Sequence, residues 1–172
     1  RDLDGENIII GSEEALEKEL IPREGYKLQL IKSRALLRKL SYKAISAPFV
    51  SAIGFFQAWK LLKRFAPHYL ITTGGYASLP VSLAAKLLKI PIILQEQNVL
   101  PGAVNRLVSR FAKKCFLSFD ETKKYFNGET VGNPVRKTII EADRVKARQA
   151  LGLQNEKVVL LMGGSQGAKR LN

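Results

Sequence analysis

Cysteine, histidine, tryptophan and methionine each occur once in this 172-residue chain, as Cys115, His68, Trp59 and Met162. A single cysteine excludes an internal disulfide and fits a reducing compartment, and one cysteine with one histidine excludes a Cys/His metal cluster. Long hydrophobic runs are also lacking: no segment approaches the roughly 18 uninterrupted apolar residues of a membrane span. Acidic residues are scarce, 15 against 28 Lys and Arg, so the chain carries +13. They form no metal-binding cluster, and neither a metal nor another cofactor is expected. The excess positive charge favours an anionic partner: nucleic acid, an acidic membrane surface or a phosphorylated substrate. The chain opens at Arg1 without a methionine or a signal-like segment and runs almost at once into a strand-like stretch, which reads as a fragment cut at both ends.

What is present is an alternation of apolar runs with helical periodicity. Strands are expected at 7–10, 27–32, 69–73, 91–94, 115–118, 129–131 and 157–162, the last continuing into GGSQGAKRLN. Ser12 is expected to cap a helix that stops before Pro22. Further helices are expected at 47–65, 79–89, 103–113, 120–126 and 141–151, and residues 33–44 as a loop or irregular helix. Strand and helix in alternation with short connections predict a Rossmann-like α/β fold, its parallel sheet covered on both faces. The polar stretch holding Asn133-Pro134 and Asp143 marks an interdomain connection.

Open parallel sheets bind ligands beyond the carboxyl ends of their strands. Three such ends carry distinctive loops. TTGGYASLP (72–80) pairs glycines that permit close backbone approach with a helix start that offers N–H groups to a phosphate; a tight turn alone would use the same glycines. ILQEQNVLPG (93–102) places Gln95, Glu96, Gln97 and Asn98 after an apolar run. Glu96 either caps the next helix or pairs with Arg106 while the amides end the strand, or the group fixes sugar hydroxyls. GGSQGAK (163–169) combines three glycines and a serine before a helix start, an anion cradle that matches neither the Walker pattern nor the dinucleotide fingerprint.

In this order and spacing, GGYASLP, EQNVLPGAVNR, VGNPVR (131–136) and GGSQGAKRLN resemble the MurG family of glycosyltransferases over nearly the whole chain. The resemblance implies a GT-B fold of two Rossmann-like domains with the substrate cleft between them. Residues 1–140 would be the acceptor- and membrane-side domain, lacking its first strand and glycine loop. Residues 141–156 would be the connection, and 157–172 the first strand and glycine loop of the donor-binding domain. The implied reaction moves N-acetylglucosamine, with inversion, from UDP-GlcNAc to the C4 hydroxyl of MurNAc in undecaprenyl-pyrophosphoryl-MurNAc-pentapeptide. This is the lipid I to lipid II step of bacterial peptidoglycan synthesis, and the fragment alone should be inactive. By matching position, Asn98, Arg136 and Ser165 correspond to donor contacts. Gly74, Gly75, Tyr76, Ser78 and Gln97 correspond to the acceptor and pyrophosphate side, and Glu96 is the candidate base. Two positions depart from the family: Gln95 stands where histidine is usual, and Leu79 where glycine is frequent. An amide does not titrate, so a structural role is expected for Gln95.

Residues 43–65, KAISAPFVSAIGFFQAWKLLKRF, carry more large apolar groups than one buried helix face needs. Phe49, Ile53 and Phe56 share a face with Lys60, whereas Val50, Ile53, Ala58, Leu61 and Leu62 would form a core stripe. With Lys32, Arg34, Arg38, Lys39 and Lys43 upstream, the first face suits an anionic membrane surface; the resemblance implies that this is the cytoplasmic leaflet, where the lipid-linked acceptor lies. Contact is expected through Phe49, Ile53, Phe56 and Trp59. Another GT-B enzyme with a different acceptor is the neighbouring reading. A nucleic-acid-binding module is the distant one: no nucleic-acid motif is present, and aromatics are not interleaved with the basic residues.

Overall fold

The computed structural model of the protein describes residues 5–13, 17–33, 42–154 and 156–160. The chain divides into two compact units, 1–133 and 134–172. In the first, β1 (Ile9–Ser12) pairs in parallel with β2 (Leu28–Ile31) across α1 (Glu17–Arg23). The helix α2 (Tyr42–Phe65) then leads to β3 (Leu70–Thr72), α3 (Ser78–Leu87), β4 (Ile92–Glu96), α4 (Ala103–Val108), β5 (Lys114–Leu117), a 3₁₀ turn at Asp120–Lys124 and β6 (Glu129–Thr130). Strands β3 to β6 form a four-stranded parallel sheet in sequential order. The expected α/β alternation is therefore present, although among the described residues it forms two parallel sheets.

One core joins them. Ile31 from β2, Ala58 and Leu62 from α2, Val81, Ala84 and Ala85 from α3, and Ile92 and Leu94 from β4 are all buried together with Val108 and Cys115. Burial disfavours the Cys115 thiolate and raises its pKa. The seam between α2 and β2 is unusually tight. Gly54 packs where a Cβ atom would lie 1.9 Å from the Lys32 carbonyl oxygen. One turn on, the Gln57 Oε1 accepts from the Lys32 N–H at 2.8 Å.

Several expectations are corrected. Ser12 ends β1 opposite Ile31, buried, with its hydroxyl donating to the Ser33 carbonyl at 3.3 Å; the helix start it is expected to cap lies outside the described residues. Pro22 lies inside α1, in its last turn, and the helix runs one residue past it instead of stopping before it. The strand expected at 91–94 runs on through Glu96. Helix α4 is shorter than 103–113, and the 120–126 segment is a 3₁₀ turn. There the Asp120 carboxylate accepts from Lys123 Nζ at 2.6 Å and Thr130 Oγ1 at 2.7 Å, which lowers its pKa and ties the turn to β6.

The second unit contains α5 (Lys137–Ile140) and α6 (Arg144–Ala150). Asp143 caps α6 by accepting from the N–H groups of Val145 and Lys146 at 2.8 and 2.9 Å. The strand expected at 157–162 is not formed over 157–160, where no described strand lies beside it to complete a ladder. Val159 and Leu160 stay exposed. The expected loop or helix at 33–44 falls mostly outside the described residues, as does the whole GGSQGAK motif with Ser165.

Candidate active site

The carboxyl ends of β3 and β4 and the N-terminus of α4 surround a cleft of about 300 Å³. Thr73, Gly74, Gly75 and Tyr76 form one wall, and Glu96 and Asn98 the end of β4. Gly102 to Asn105 line it as well, Asn105 lying directly against Gly74, with Leu79 and Ser51 completing the lining. Gly74 and Gly75 have φ of 96° and 94°, the left-handed region that a side chain resists, so the loop needs glycine at both positions.

Glu96 organises this cleft. Strand alternation places it on the same face as Ile92 and Leu94, and it is fully buried. Its Oε1 accepts from the backbone N–H and the Nδ2 of Asn98 at 2.8 and 3.0 Å, and its Oε2 accepts from the Asn105 Nδ2 at 2.7 Å. It neither caps α4, whose N-cap is Gly102 without a side-chain bond, nor pairs with Arg106. Arg106 instead donates from Nε to the Pro101 carbonyl at 3.1 Å and lies over the Tyr125 ring. Asn98 is held from its other side by the Thr122 hydroxyl, which donates to its carbonyl at 2.9 Å. Asn98 is thus a fixed, exposed group at the cleft rim.

Of the other sequence-derived candidates, Tyr76 is exposed and lines the cleft. Ser78 is buried, and its hydroxyl is hydrogen-bonded with that of Thr72, beneath the glycine loop rather than in the cleft. Gln97 is half-buried and donates to the Gln95 carbonyl at 3.4 Å. Arg136 precedes α5 in the second unit. Gln95 has a structural role: its Nε2 donates to Ser118 Oγ and the Gly132 carbonyl, both at 3.3 Å. The Ser118 hydroxyl in turn lies within donating distance of the Glu96 carbonyl (2.9 Å) and Asn133 Oδ1 (2.7 Å). These bonds tie the end of β4 to the segment that closes the first unit.

On α2, Ile53 and Phe56 are 47% and 70% exposed, whereas Ala58 and Leu62 supply the core contacts. Ile53 therefore belongs to the outer face and not to the core stripe. Trp59 is half-buried against the core, its ring 5.8 Å from that of Phe55. The Phe49 side chain lies outside the described residues. No helix among the described residues is long and apolar enough to cross a membrane. Sequence reasoning missed Asn105 and Thr122, the buried polar partners of this network. The spacing of Asn105 from Glu96 became meaningful only once α4 was seen to fold back over β4.

A Rossmann-like parallel sheet with a glycine-walled cleft at its strand carboxyl ends is the N-terminal architecture of a two-domain GT-B glycosyltransferase. The chain belongs to glycosyltransferase family 28, whose N-terminal domain model matches residues 2–117. It is 42% identical over 96% of its length to the UDP-N-acetylglucosamine–N-acetylmuramyl-(pentapeptide) pyrophosphoryl-undecaprenol N-acetylglucosamine transferase of Caldicellulosiruptor saccharolyticus, covering 46% of that protein. The protein of the same name from Caldanaerobacter subterraneus subsp. tengcongensis is 40% identical over 98% of this chain and 48% of its own. The crystal structure of MurG from Acinetobacter baumannii matches with a TM-score of 0.58 at 28% identity, over 76% of this chain and 37% of that one. The resemblance carried by the four motifs is upheld, and the chain spans about half the length of the curated relatives it matches.

Proposed function

We propose that the protein to which this chain belongs transfers N-acetylglucosamine from UDP-GlcNAc to the MurNAc C4 hydroxyl of undecaprenyl-pyrophosphoryl-MurNAc-pentapeptide. The observation that carries this reading is the cleft in which Gly74, Gly75 and Tyr76 face Asn98, in a chain whose relatives bear that activity in their names. The acceptor oxygen attacks the anomeric carbon from the face opposite UDP. A C–O bond forms, the bond to the diphosphate oxygen breaks, and the hydroxyl proton passes to a base.

Each proposed role follows from side-chain chemistry. The Gly74-Gly75 loop and the start of α3 receive the acceptor's pyrophosphate, with Tyr76 at the rim and Ser78 bracing the loop from below. Asn98 bridges sugar hydroxyls of the donor, and Gln97 supports the acceptor side. The Arg136 guanidinium and the Ser165 hydroxyl engage the donor's phosphate or carbonyl oxygens. Glu96 holds Asn98 in place. In the proposed division, 1–140 is the acceptor-side domain, 141–156 the connection and 157–172 the start of the donor domain. The chain alone is then inactive.

The full-length protein should transfer labelled N-acetylglucosamine to the lipid-linked acceptor. Asn98→Ala and Arg136→Ala should each raise KM for UDP-GlcNAc by roughly tenfold. A well-folded full-length protein without transfer would overturn the assignment.

The proposed location is the cytoplasmic face of the bacterial membrane, reached through α2. Ile53 and Phe56 are exposed on the helix, as are Lys60, Lys63 and Arg64, and Phe49 and Trp59 are the further proposed contacts. Each basic residue near an anionic leaflet contributes about 1 kcal/mol. In flotation with phosphatidylglycerol vesicles, the Ile53→Ser/Phe56→Ser double variant should lose most of its bound fraction; undiminished binding would sink the membrane assignment.

A further inference from the structure

We propose that Asn105 is a specificity-determining residue of the cleft, its side-chain carbonyl accepting a hydrogen bond from a hydroxyl or amide N–H of the ligand bound beside Gly74. A side-chain amide is asymmetric: it donates at one end and accepts at the other. A carboxylate only accepts, so Glu96 selects the donor end of Asn105, and the bond from Nδ2 to Oε2 is 2.7 Å. The same carboxylate holds the Nδ2 of Asn98 through its other oxygen, at 3.0 Å. One buried acid thereby sets the orientation of both amides.

Asn105 is 5% exposed, and its Oδ1 has no hydrogen-bond partner among the described residues. Buried carbonyls are normally paired, and an orphan that lines a ligand cleft is an acceptor awaiting a donor. Its neighbour explains how it stays reachable. A Cβ at Gly74 would lie 2.8 Å from that oxygen, so any side chain there would cover it. The glycine, whose positive φ already excludes most side chains, keeps bulk away from this buried carbonyl at the cleft wall, which a ligand group reaches by displacing the 74–75 loop slightly.

A ligand group must therefore present a proton at this point. Sugar hydroxyls and the N–H of an N-acyl or lactyl amide meet the requirement; a phosphate oxygen, which would face the carbonyl with like partial charge, does not. Resting on the reading that the muramoyl acceptor occupies this cleft, the Asn105 contact selects its polar sugar or amide portion, while the pyrophosphate lies towards Gly75.

Two measurements on the full-length protein test this. In steady-state kinetics, Asn105→Leu should lower kcat/KM for the acceptor by roughly tenfold to a hundredfold and leave KM for UDP-GlcNAc unchanged. One acceptor analogue lacking a single hydroxyl or N–H should cost the parent a similar factor and cost the variant nothing further. Losses that add for every analogue, or an equal rise in both KM values, would overturn the proposal. Because removing a buried amide can also unfold the protein, the second measurement uses the unsubstituted chain. The Asn105 side-chain carbonyl ¹³C resonance should shift when acceptor is added, while its NH₂ group keeps the signature of its bond to Glu96. No shift at saturating acceptor would overturn the contact. A shift in a protein that does not transfer would uphold the contact and overturn the catalytic reading instead.

Discussion

Gly54→Ala should destabilise the protein by on the order of 3 kcal/mol, with a matching fall in its urea midpoint. On helical grounds the substitution looks favourable, since alanine is the better helix former by about 1 kcal/mol. Packing reverses the sign. The new Cβ would sit 1.9 Å from the Lys32 carbonyl oxygen, a main-chain atom that no rotamer change can move aside. Relief requires α2 to back away from β2, which would stretch the 2.8 Å bond from the Lys32 N–H to Gln57 and loosen Ala58 and Leu62 in the core. Equal or higher stability in a denaturation series would show that the close approach of α2 to β2 is not maintained in solution.

Glu96→Ala should destabilise by about 2–4 kcal/mol and abolish most activity of the full-length protein, because three N–H donors lose their acceptor together. The Asn105 amide is buried and would keep no compensating partner; Asn98, at the exposed rim, can turn to water. Glu96→Gln separates positioning from proton transfer. It retains the side chain's volume and one acceptor oxygen, so the loss of stability should be smaller. Both carboxylate oxygens already receive N–H groups, and a substrate hydroxyl would have to displace one of them. The expected result for Glu96→Gln is therefore a reduced rate with the acid-side limb of the pH–rate profile retained. Disappearance of that limb would make Glu96 the base.

Much of the architecture was legible in the sequence, for reasons that differ among elements. Apolar runs such as Ile92 to Leu94 announce strands, because a sheet covered on both faces must be apolar on both. The glycine pair at 74 and 75 announces a left-handed turn, because few other residues adopt it at little cost. Glu96 was misleading for a related reason. Its polarity argued for the end of the strand, but its place two residues beyond Leu94 puts it on the buried face, where three N–H groups compensate its burial. Ser78 carries the residue type of an anion site, yet it is buried against Thr72 across a turn.

By itself, then, the sequence determined the alternating α/β class, the positions of the glycine loops, the basic apolar helix and the family. These depend on local composition, periodicity and spacing, which a chain carries whether folded or not. Only the tertiary structure decided that Ile53 faces outward while Trp59 turns towards the core, that Gln95 is a tie between β4 and the loop at Gly132, and that Glu96 orients Asn98 and Asn105. Each of those depends on which distant group arrives at contact distance. A buried carboxylate becomes a scaffold, a base or a liability according to the donors that the fold brings to it.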